Sequence, residues 1–144
     1  MGVSPSGQPP IRTVAAVIAN VAGEVLLVRK RGSRIFIQPG GKFEPGEDTL
    51  DALARELREE LGVVMRRDGV RFLGTFEADA VNESGRRVRA DAYAVEIAGD
   101  PVAQAEIEDI RWLDPLRERD VTVAPLSREH ILPAWLAQRK RATP

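Results

Sequence analysis

Short apolar runs rich in β-branched residues dominate the first forty residues. Residues 13–19 (TVAAVIA) and 24–30 (EVLLVRK) are two such runs, and the residues 20–23 between them indicate a hairpin turn. A shorter apolar piece, Ile35–Ile37, ends at a Pro-Gly-Gly breaker. These patterns predict three strands, with a tight turn between the first two.

The next segment has the periodicity of an amphipathic helix. It follows a Glu-Pro-Gly turn, and Gly62 is placed to end it. Apolar residues recur every three or four positions, which is the spacing of one buried helix face. The residues on this predicted buried face are Leu50, Leu53, Ala54, Leu57 and Leu61.

The second half of the chain returns to strand patterns and ends in a helix. Residues 70–78 and 87–97 are predicted strands joined by a turn rich in Asn, Ser and Gly, and residues 107–113 are a further short strand. Residues 127–141 have helical periodicity, but Pro133 indicates a kink or a late start. The order β-β-α-β-β-α predicts an α/β sandwich.

Composition indicates one globular domain. The 144 residues are 43% hydrophobic and 30% charged, with a net charge of −1. Residues 1–10 are rich in Pro, Gly and Ser, so we expect a disordered tail there and a single domain over residues 11–141. The charge balance argues against binding to a nucleic-acid polymer, and no apolar run approaches the length of a membrane span. We therefore expect a cytoplasmic protein without membrane association.

The predicted helix carries three glutamates on one flank. Glu56 and Glu60 lie about 40° apart on a helical wheel, and Glu59 lies on the same flank. Like charges at this spacing repel each other, and the C-terminal end of a helix favours cations. Arg55 projects from another part of the wheel, so we expect it not to neutralise the cluster. The cluster is either a solvated acidic surface or a site for a hard divalent cation.

A pair of glycines precedes this helix and favours the second explanation. Gly40 and Gly41 allow the backbone to come close to a ligand and to present a bare carbonyl oxygen to the same cation. Mg²⁺ binds through a few carboxylates, waters and substrate phosphates. The pattern therefore predicts metal-assisted attack of water on a phosphate-containing substrate.

The spacing of these residues resembles the signature of a known family. Residues 41–63, GKFEPGEDTLDALARELREELGV, match the Nudix box GX5EX7REUXEEXGU position for position, where U is a bulky aliphatic residue. The chain thus resembles the Nudix hydrolases, of which MutT is a member. This resemblance implies the Nudix fold, an α/β/α sandwich with a mixed central sheet. The matching residues are Gly41, Glu47, Arg55, Glu56, Leu57, Glu59, Glu60, Gly62 and Val63.

The resemblance implies a pyrophosphohydrolase and a set of metal ligands. Nudix hydrolases use Mg²⁺ or Mn²⁺ to cleave a nucleoside diphosphate linked to another moiety, which gives a nucleoside monophosphate. By similarity, Glu56 and Glu60 bind the metal directly, and Glu59 binds it directly or through water. The carbonyl oxygen of Gly40 completes the set on the loop side.

The resemblance also implies a positioning pair behind the ligands. Glu47 is expected to bind Arg55, which fixes the loop against the helix and orients the carboxylates. This role agrees with an Arg55 side chain that points away from the ligand flank.

A general base is implied outside the box. Family members often draw one more acid from a loop late in the chain, and the segment AEIEDIRW offers Glu106, Glu108 and Asp109. Glu106 matches the commonest placement. The alternative is that Glu59 or Glu56 activates the water.

Substrate choice in this fold depends on residues outside the box. Phe36 either stacks on a base or belongs to the core, and Arg34 is a candidate for a phosphate contact. The short chain favours a nucleoside triphosphate or an oxidised nucleotide. The alternatives are an ADP-ribose or NDP-sugar pyrophosphatase and a non-catalytic Nudix domain that senses a nucleotide. The resemblance also raises a homodimer as the assembly.

Overall fold

The computed structural model describes residues 7–117 and 120–142. Residues 1–6 of the predicted tail lie outside the described residues, and residues 7–10 belong to no strand or helix. The helical elements are α1 (Thr49–Leu61), a π-helical segment (Leu126–Ile131) and α2 (Leu132–Ala142). The strands are β1 (Ile11–Ile18), β2 (Val25–Lys30), β3 (Ile35–Ile37), β4 (Gly40–Lys42), β5 (Val64–Asp79), β6 (Arg87–Ala98), β7 (Ile107–Leu113) and β8 (Thr122–Val123).

The described strands form two mixed four-stranded sheets. The first has the order β4-β1-β6-β5, in which β1 runs parallel to β6 and the other neighbours are antiparallel. The second has the order β7-β2-β3-β8, in which β3 runs parallel to β8. The predicted α/β architecture is confirmed, and its strands are divided between two mixed sheets rather than joined in one.

Alternation along β1 places a helix on each face of the first sheet. Val14, Ala16 and Ile18 are buried in the same core cluster as the apolar face of α1. Ala15 and Val17 point to the opposite face and pack in a second cluster with residues of the C-terminal helical region. The strand is therefore covered on both sides from Val14 to Ile18, which explains why this part of its sequence is continuously apolar.

The turn predicted at residues 20–23 is present, but the strands that it joins separate. The Asn20 side-chain oxygen accepts hydrogen bonds from the backbone N–H groups of Ala22 (3.1 Å) and Glu24 (3.0 Å). Beyond the bridge between Ala19 and Val25, β1 and β2 enter different sheets. The prediction of a simple two-stranded hairpin was therefore wrong in its pairing, because sheet partners lie far away in the sequence.

Helix α1 has a capping residue at each end, Asp48 before its first turn and Gly62 after its last. The Asp48 side chain accepts a hydrogen bond from the Asp51 N–H at 2.9 Å, and Gly62 takes the left-handed conformation at φ 69°. Leu53, Leu57 and other apolar residues of its inner face are fully buried. This local geometry fixes the direction in which the glutamates on the adjoining flank project.

The C-terminal helical region changes character one residue before Pro133. The chain is π-helical over Leu126–Ile131 and becomes α-helical over Leu132–Ala142. The Leu132 N–H still donates to the Ser127 carbonyl oxygen in the π-helical pattern, and Pro133, which has no N–H to donate, follows it directly. The late start predicted for the α-helix is confirmed. Within the described residues, no helix is long and apolar enough to cross a membrane.

Candidate active site

A cavity of about 480 Å³ lies between β1, β4, α1 and the hairpin that joins β5 to β6. Its wall contains five carboxylates: Glu56 and Glu60 from α1, Asp79 and Glu83 from the end of β5 and the hairpin after it, and Glu106, which immediately precedes β7. Two ammonium groups, Lys30 and Lys42, belong to the same wall. A cavity of this volume, with a few convergent charged groups, has the size of a small-ligand site.

The two glycines of β4 allow its backbone to contact both neighbours. Gly40 has φ 146°, and a Cβ atom there would overlap the carbonyl oxygen of Val14. A Cβ atom on Gly41 would lie 2.6 Å from the carboxylate carbon of Glu56. The Gly40 N–H donates a hydrogen bond to Glu60 Oε1 at 3.2 Å. Only glycine therefore brings this strand so close to the two carboxylates.

The carboxylate of Glu60 is unusually costly to ionise. The residue is only 7% exposed, and its burial raises the pKa from 4.5 to about 8. The hydrogen bond from Gly40 opposes this increase, whereas the neighbouring Glu56 adds to it. Burial also raises the pKa of Glu56, against the attraction of Arg55. The surroundings of both carboxyl groups thus disfavour their ionised forms in the metal-free protein.

Arg55 neutralises part of the acidic flank, and the prediction that it would not was wrong. Its Nη1 donates to Glu56 Oε1 at 2.9 Å and to Glu59 Oε1 at 3.2 Å. The same guanidinium group donates through Nη2 to the carbonyl oxygen of Lys42 at 3.0 Å. The helical wheel gives the direction of the Cβ atom, but the long side chain curves back along the helix surface.

The predicted contact between Glu47 and Arg55 is bidentate. Arg55 Nε donates to Glu47 Oε2 at 2.6 Å, and Nη2 donates to Oε1 at 2.9 Å. Glu47 also accepts the Glu44 N–H at 2.9 Å. These bonds, above all those from Arg55, lower the pKa of Glu47 from 4.5 to about 2. The pair joins the loop after β4 to α1 and holds Arg55 against Glu56.

Glu59 is separated from the other two glutamates of the flank. Its side chain is half exposed and pairs with Arg55, and the described residues of the cavity wall do not include it. Across residues 7–117 and 120–142, no group of three or more His, Cys, Asp or Glu side chains is arranged to hold a metal ion. Of the three glutamates predicted to bind metal, Glu56 and Glu60 therefore lie on the cavity wall and Glu59 does not.

Of the three acids predicted near β7, Glu106 lies on the cavity wall. Its carbonyl oxygen accepts the Arg31 N–H at 2.8 Å, which anchors the segment to the end of β2. Glu108 instead accepts a hydrogen bond from Arg29 at 2.8 Å, and Asp109 lies 3.5 Å from Arg111. The structure thus distinguishes Glu106 from its two neighbours.

The two residues predicted to bind substrate lie elsewhere. Phe36 is 3% exposed and packs with Leu27 and Val123, so its ring has no free face for stacking. Its neighbour Ile37 lies on the cavity wall instead. Arg34 is exposed, and the described wall does not contain it. The structure thus gives Phe36 the second of its two predicted placements, the core, and the phosphate contact of Arg34 stays a prediction.

Several wall residues were not singled out from the sequence. Lys30 ends β2 close enough to Glu56 and Glu60 to attract both carboxylates, and Gln38 immediately precedes the Pro-Gly-Gly turn. Lys42 Nζ and Glu83 Oε1 lie 2.7 Å apart, which joins β4 to the β5–β6 hairpin at the cavity. The sequence feature that could have identified them is their position: Lys30 ends a buried strand, and Gln38 lies two residues before Gly40.

Comparison with known proteins agrees with this geometry. The family model described as the NUDIX domain matches residues 9–134. The CTP pyrophosphohydrolase of Escherichia coli K12 is 31% identical over 90% of this chain and 93% of its own length. An RNA pyrophosphohydrolase of Halorhodospira halophila is 31% identical over 70% of this chain and 65% of its own.

Solved structures give the same result for the fold. The solution structure of the E. coli ORF135 protein superposes with a TM-score of 0.73 at 31% identity, over 92% of this chain and 93% of that one. A NUDIX hydrolase from Nitrosomonas europaea gives a TM-score of 0.72 at 26% identity, over 90% of each chain. With the domain match, the full-length relative and the carboxylate-lined cavity in agreement, this chain belongs to the Nudix hydrolase family.

Proposed function

We propose that this Nudix hydrolase is a Mg²⁺-dependent pyrophosphohydrolase that converts a nucleoside triphosphate into a nucleoside monophosphate and pyrophosphate. The observation that carries the proposal is the convergence of Glu56, Glu60, Glu106 and Lys30 on one cavity of ligand size. Carboxylates suit a hard cation, and an ammonium group suits a phosphate.

The donor set fits a divalent cation. Glu60 is buried, and this burial raises its pKa, so the described residues do not fully stabilise its ionised form. A cation held by Glu56, Glu60 and the carbonyl oxygen of Gly40 would offset it, with waters and substrate phosphates as the remaining ligands. Glu59, which pairs with Arg55 at the rim, is within one helical turn of this set and would act through water. Mn²⁺ prefers the same oxygen ligands.

In this proposed reaction each side chain at the site has a different role. The chemistry that the cation supplies is polarisation of phosphoryl oxygens and a lower pKa for a bound water. Glu106 accepts the proton of the attacking water as general base. Lys30 binds the phosphate chain, and Arg55, held by Glu47, fixes the direction of the Glu56 carboxylate.

A free nucleoside triphosphate is the substrate that the relatives favour. The relative that matches along nearly its whole length is named for CTP, whereas the RNA pyrophosphohydrolase matches over 65% of its length. An ADP-ribose or NDP-sugar substrate remains the alternative within the same chemistry. We also propose that the enzyme acts in the cytoplasm, and a homodimer stays a prediction.

The test is product release across a nucleotide panel with Mg²⁺, with Mn²⁺ and with EDTA. The panel holds canonical and oxidised nucleoside triphosphates, ADP-ribose and NDP-sugars, and coupled pyrophosphatase or phosphatase makes each product visible. We expect EDTA-sensitive release of pyrophosphate from at least one triphosphate. Turnover of only ADP-ribose or an NDP-sugar would replace the proposed substrate, and no turnover of any panel member would contradict the proposal.

Glu106→Gln tests the assignment of the general base. We expect kcat/KM to fall about 100-fold, because a positioned base contributes roughly that much or more. Glu108→Gln is the matched control, because Glu108 pairs with Arg29 outside the cavity wall. If both variants behave alike, Glu106 is not the base, and Glu56 or Glu59 takes that role.

Gly41→Ala tests the close approach of β4 to α1. The added methyl group would lie 2.6 Å from the carboxylate carbon of Glu56, so the carboxylate must move. We expect kcat/KM to fall about 10- to 100-fold, the usual effect of misplacing a metal ligand from its supporting shell, while circular dichroism stays unchanged. Gly69→Ala is the control, because its Cβ atom would meet the side chain of Glu96 in the same way, away from the cavity. Equal activity of the two variants would contradict the proposed role of Glu56.

A further inference from the structure

Gln38 presents an unusual buried amide at the cavity. Its side chain is 6% exposed, and the residue belongs to the cavity wall. Nε2 donates to the carbonyl oxygen of Ala16 at 2.8 Å. This bond distinguishes the nitrogen of the amide from its oxygen, because a flipped amide would place Oε1 against the carbonyl oxygen of Ala16.

The other end of the amide lacks a partner. Within residues 7–117 and 120–142, Gln38 Oε1 is buried and accepts no hydrogen bond. Buried polar groups are nearly always hydrogen-bonded, and an unsatisfied acceptor at a functional site calls for an explanation. Because Gln38 belongs to the cavity wall, a rotation about its broad terminal torsion would bring this oxygen to the cavity surface. A ligand that carries an N–H donor would then satisfy it.

The surroundings of Gln38 suit a flat, mostly apolar group. Ile37, Ala124 and Leu126 lie on the same wall, and the Ala124 N–H donates to the Phe36 carbonyl oxygen at 2.9 Å. That bond places the residues just before the C-terminal helical region beside β3, the strand that immediately precedes Gln38. Apolar walls with one fixed polar group are typical of a pocket that selects a ring by its edge.

The position of Gln38 relative to the carboxylates suits the base of a nucleotide. Gln38 precedes Gly40 by two residues, which is about 6–7 Å along an extended chain, and the Gly40 N–H contacts Glu60. Phosphates near Glu60 and Lys30 therefore leave the base within reach of Gln38. The amide oxygen of Gln38 can only accept a hydrogen bond, so it can pair with the exocyclic amino group of a base. In uracil or hypoxanthine a keto oxygen takes the place of that amino group, and two acceptors cannot pair.

We propose that Gln38 selects nucleotides whose base carries an exocyclic amino group, as cytosine and adenine do, by accepting a hydrogen bond from that group. The inference rests on the proposed function, since it specifies the substrate of the same site. Uracil and hypoxanthine differ from cytosine and adenine in placing an oxygen where the amino group would be, so they leave the acceptor unpaired and set it against a second acceptor.

The experiment measures binding of the monophosphate pairs CMP and UMP, and AMP and IMP, by calorimetry in Mg²⁺ buffer. We expect the wild-type protein to bind the amino member of at least one pair with a Kd at least about tenfold lower. This ratio is the effect expected from leaving one buried polar group without a hydrogen bond. Gln38→Met keeps the length of the side chain but removes the acceptor, so it should reduce this ratio to about one. Gln104→Met makes the same change outside the cavity wall and should leave the ratio unchanged.

Each outcome separates the inference from the proposed function. Equal binding within both pairs, no binding of any of the four, or an unchanged ratio in a folded Gln38→Met variant overturns the inference, even if triphosphates are hydrolysed. If Gln38→Met does not fold, the wild-type ratios still decide the question. Selective binding of the amino members without turnover of any triphosphate supports the inference and contradicts the pyrophosphohydrolase proposal.

Discussion

Replacing Glu60 with glutamine is expected to lower kcat/KM in Mg²⁺ by about 100-fold or more, since a divalent cation contributes several kcal/mol to such reactions. Glutamine has nearly the same shape and can still accept the Gly40 N–H that Glu60 accepts at 3.2 Å. The fold should therefore survive, and the loss should come from the missing negative charge. Turnover close to that of the wild type would exclude Glu60 as a metal ligand.

The same variant should stabilise the metal-free protein at high pH. The pKa of Glu60 is about 8 in the folded protein and about 4.5 in the unfolded chain, because burial disfavours the charged form. The folded state therefore binds the proton more tightly, and the free energy of unfolding falls as the pH rises from about 4.5 to 8. The cost at pH 8 is of the order of a few kcal/mol. The glutamine side chain of the variant cannot ionise, so this part of the pH dependence should disappear.

Urea unfolding between about pH 5 and 8, with EDTA and with excess Mg²⁺, measures both effects. In wild type, Mg²⁺ should raise the unfolding midpoint most at the high-pH end, where Glu60 must otherwise carry an uncompensated charge. Glu60→Gln should show little response to Mg²⁺. Glu59→Gln is the comparison, because Glu59 is half exposed and paired with Arg55, and its fall in kcat/KM should be about tenfold. A pH-independent wild type in EDTA would contradict the cost assigned to the burial of Glu60.

Local signals in the sequence predicted α1 and several strands, but they missed β4, β8 and the first part of β5. Helix α1 was predicted from its apolar spacing and from Gly62, and the structure places it at Thr49–Leu61. The short strand at Ile107–Leu113 was also predicted with its observed bounds. Capping and periodicity depend on neighbours in the chain, so the sequence contains them. The assignment of β1 and β2 to different sheets depends on partners far away in the sequence, and no local pattern reveals it.

The same distinction between local patterns and long-range contacts applies to the residues of the candidate site. The sequence predicted that Glu56 and Glu60 would lie beside a Gly40-Gly41 loop, and the structure brings them to one cavity with Glu106 and with both glycines, which belong to strand β4. Their roles in catalysis stay predictions. The position of Arg55 was predicted wrongly because a helical wheel gives the direction of the Cβ atom only. The long side chain curves back over the acidic flank, where Glu47 of the preceding loop binds it. Gln38 was missed because its signal is an unpaired oxygen, which appears only when every neighbouring donor and acceptor has been placed.

Arg55→Ala is expected to lower kcat/KM about 10- to 100-fold without removing any metal ligand. One guanidinium group donates to both oxygens of Glu47, to Glu56 and to Glu59, so its loss frees the Glu56 carboxylate and detaches the loop after β4. Arg55→Lys should recover only part of the activity, because a single ammonium group cannot reproduce the bidentate contact. Arg58→Ala changes an exposed arginine of the same helix and is the matched control.

The pH dependence of stability separates this pairing from a general packing defect. The pKa of Glu47 is about 2 in the folded protein and 4.5 in the unfolded chain, chiefly because Arg55 binds its charged form. A carboxylate whose pKa is lowered on folding stabilises the protein above pH 4.5, and this stabilisation is lost as the pH falls towards 2. The urea midpoints of wild type and Arg55→Ala should therefore differ at about pH 7 and converge below pH 4.5. A difference that stayed constant across this range would mean that the arginine stabilises the fold by packing alone, and that the ion pair with Glu47 contributes nothing to it.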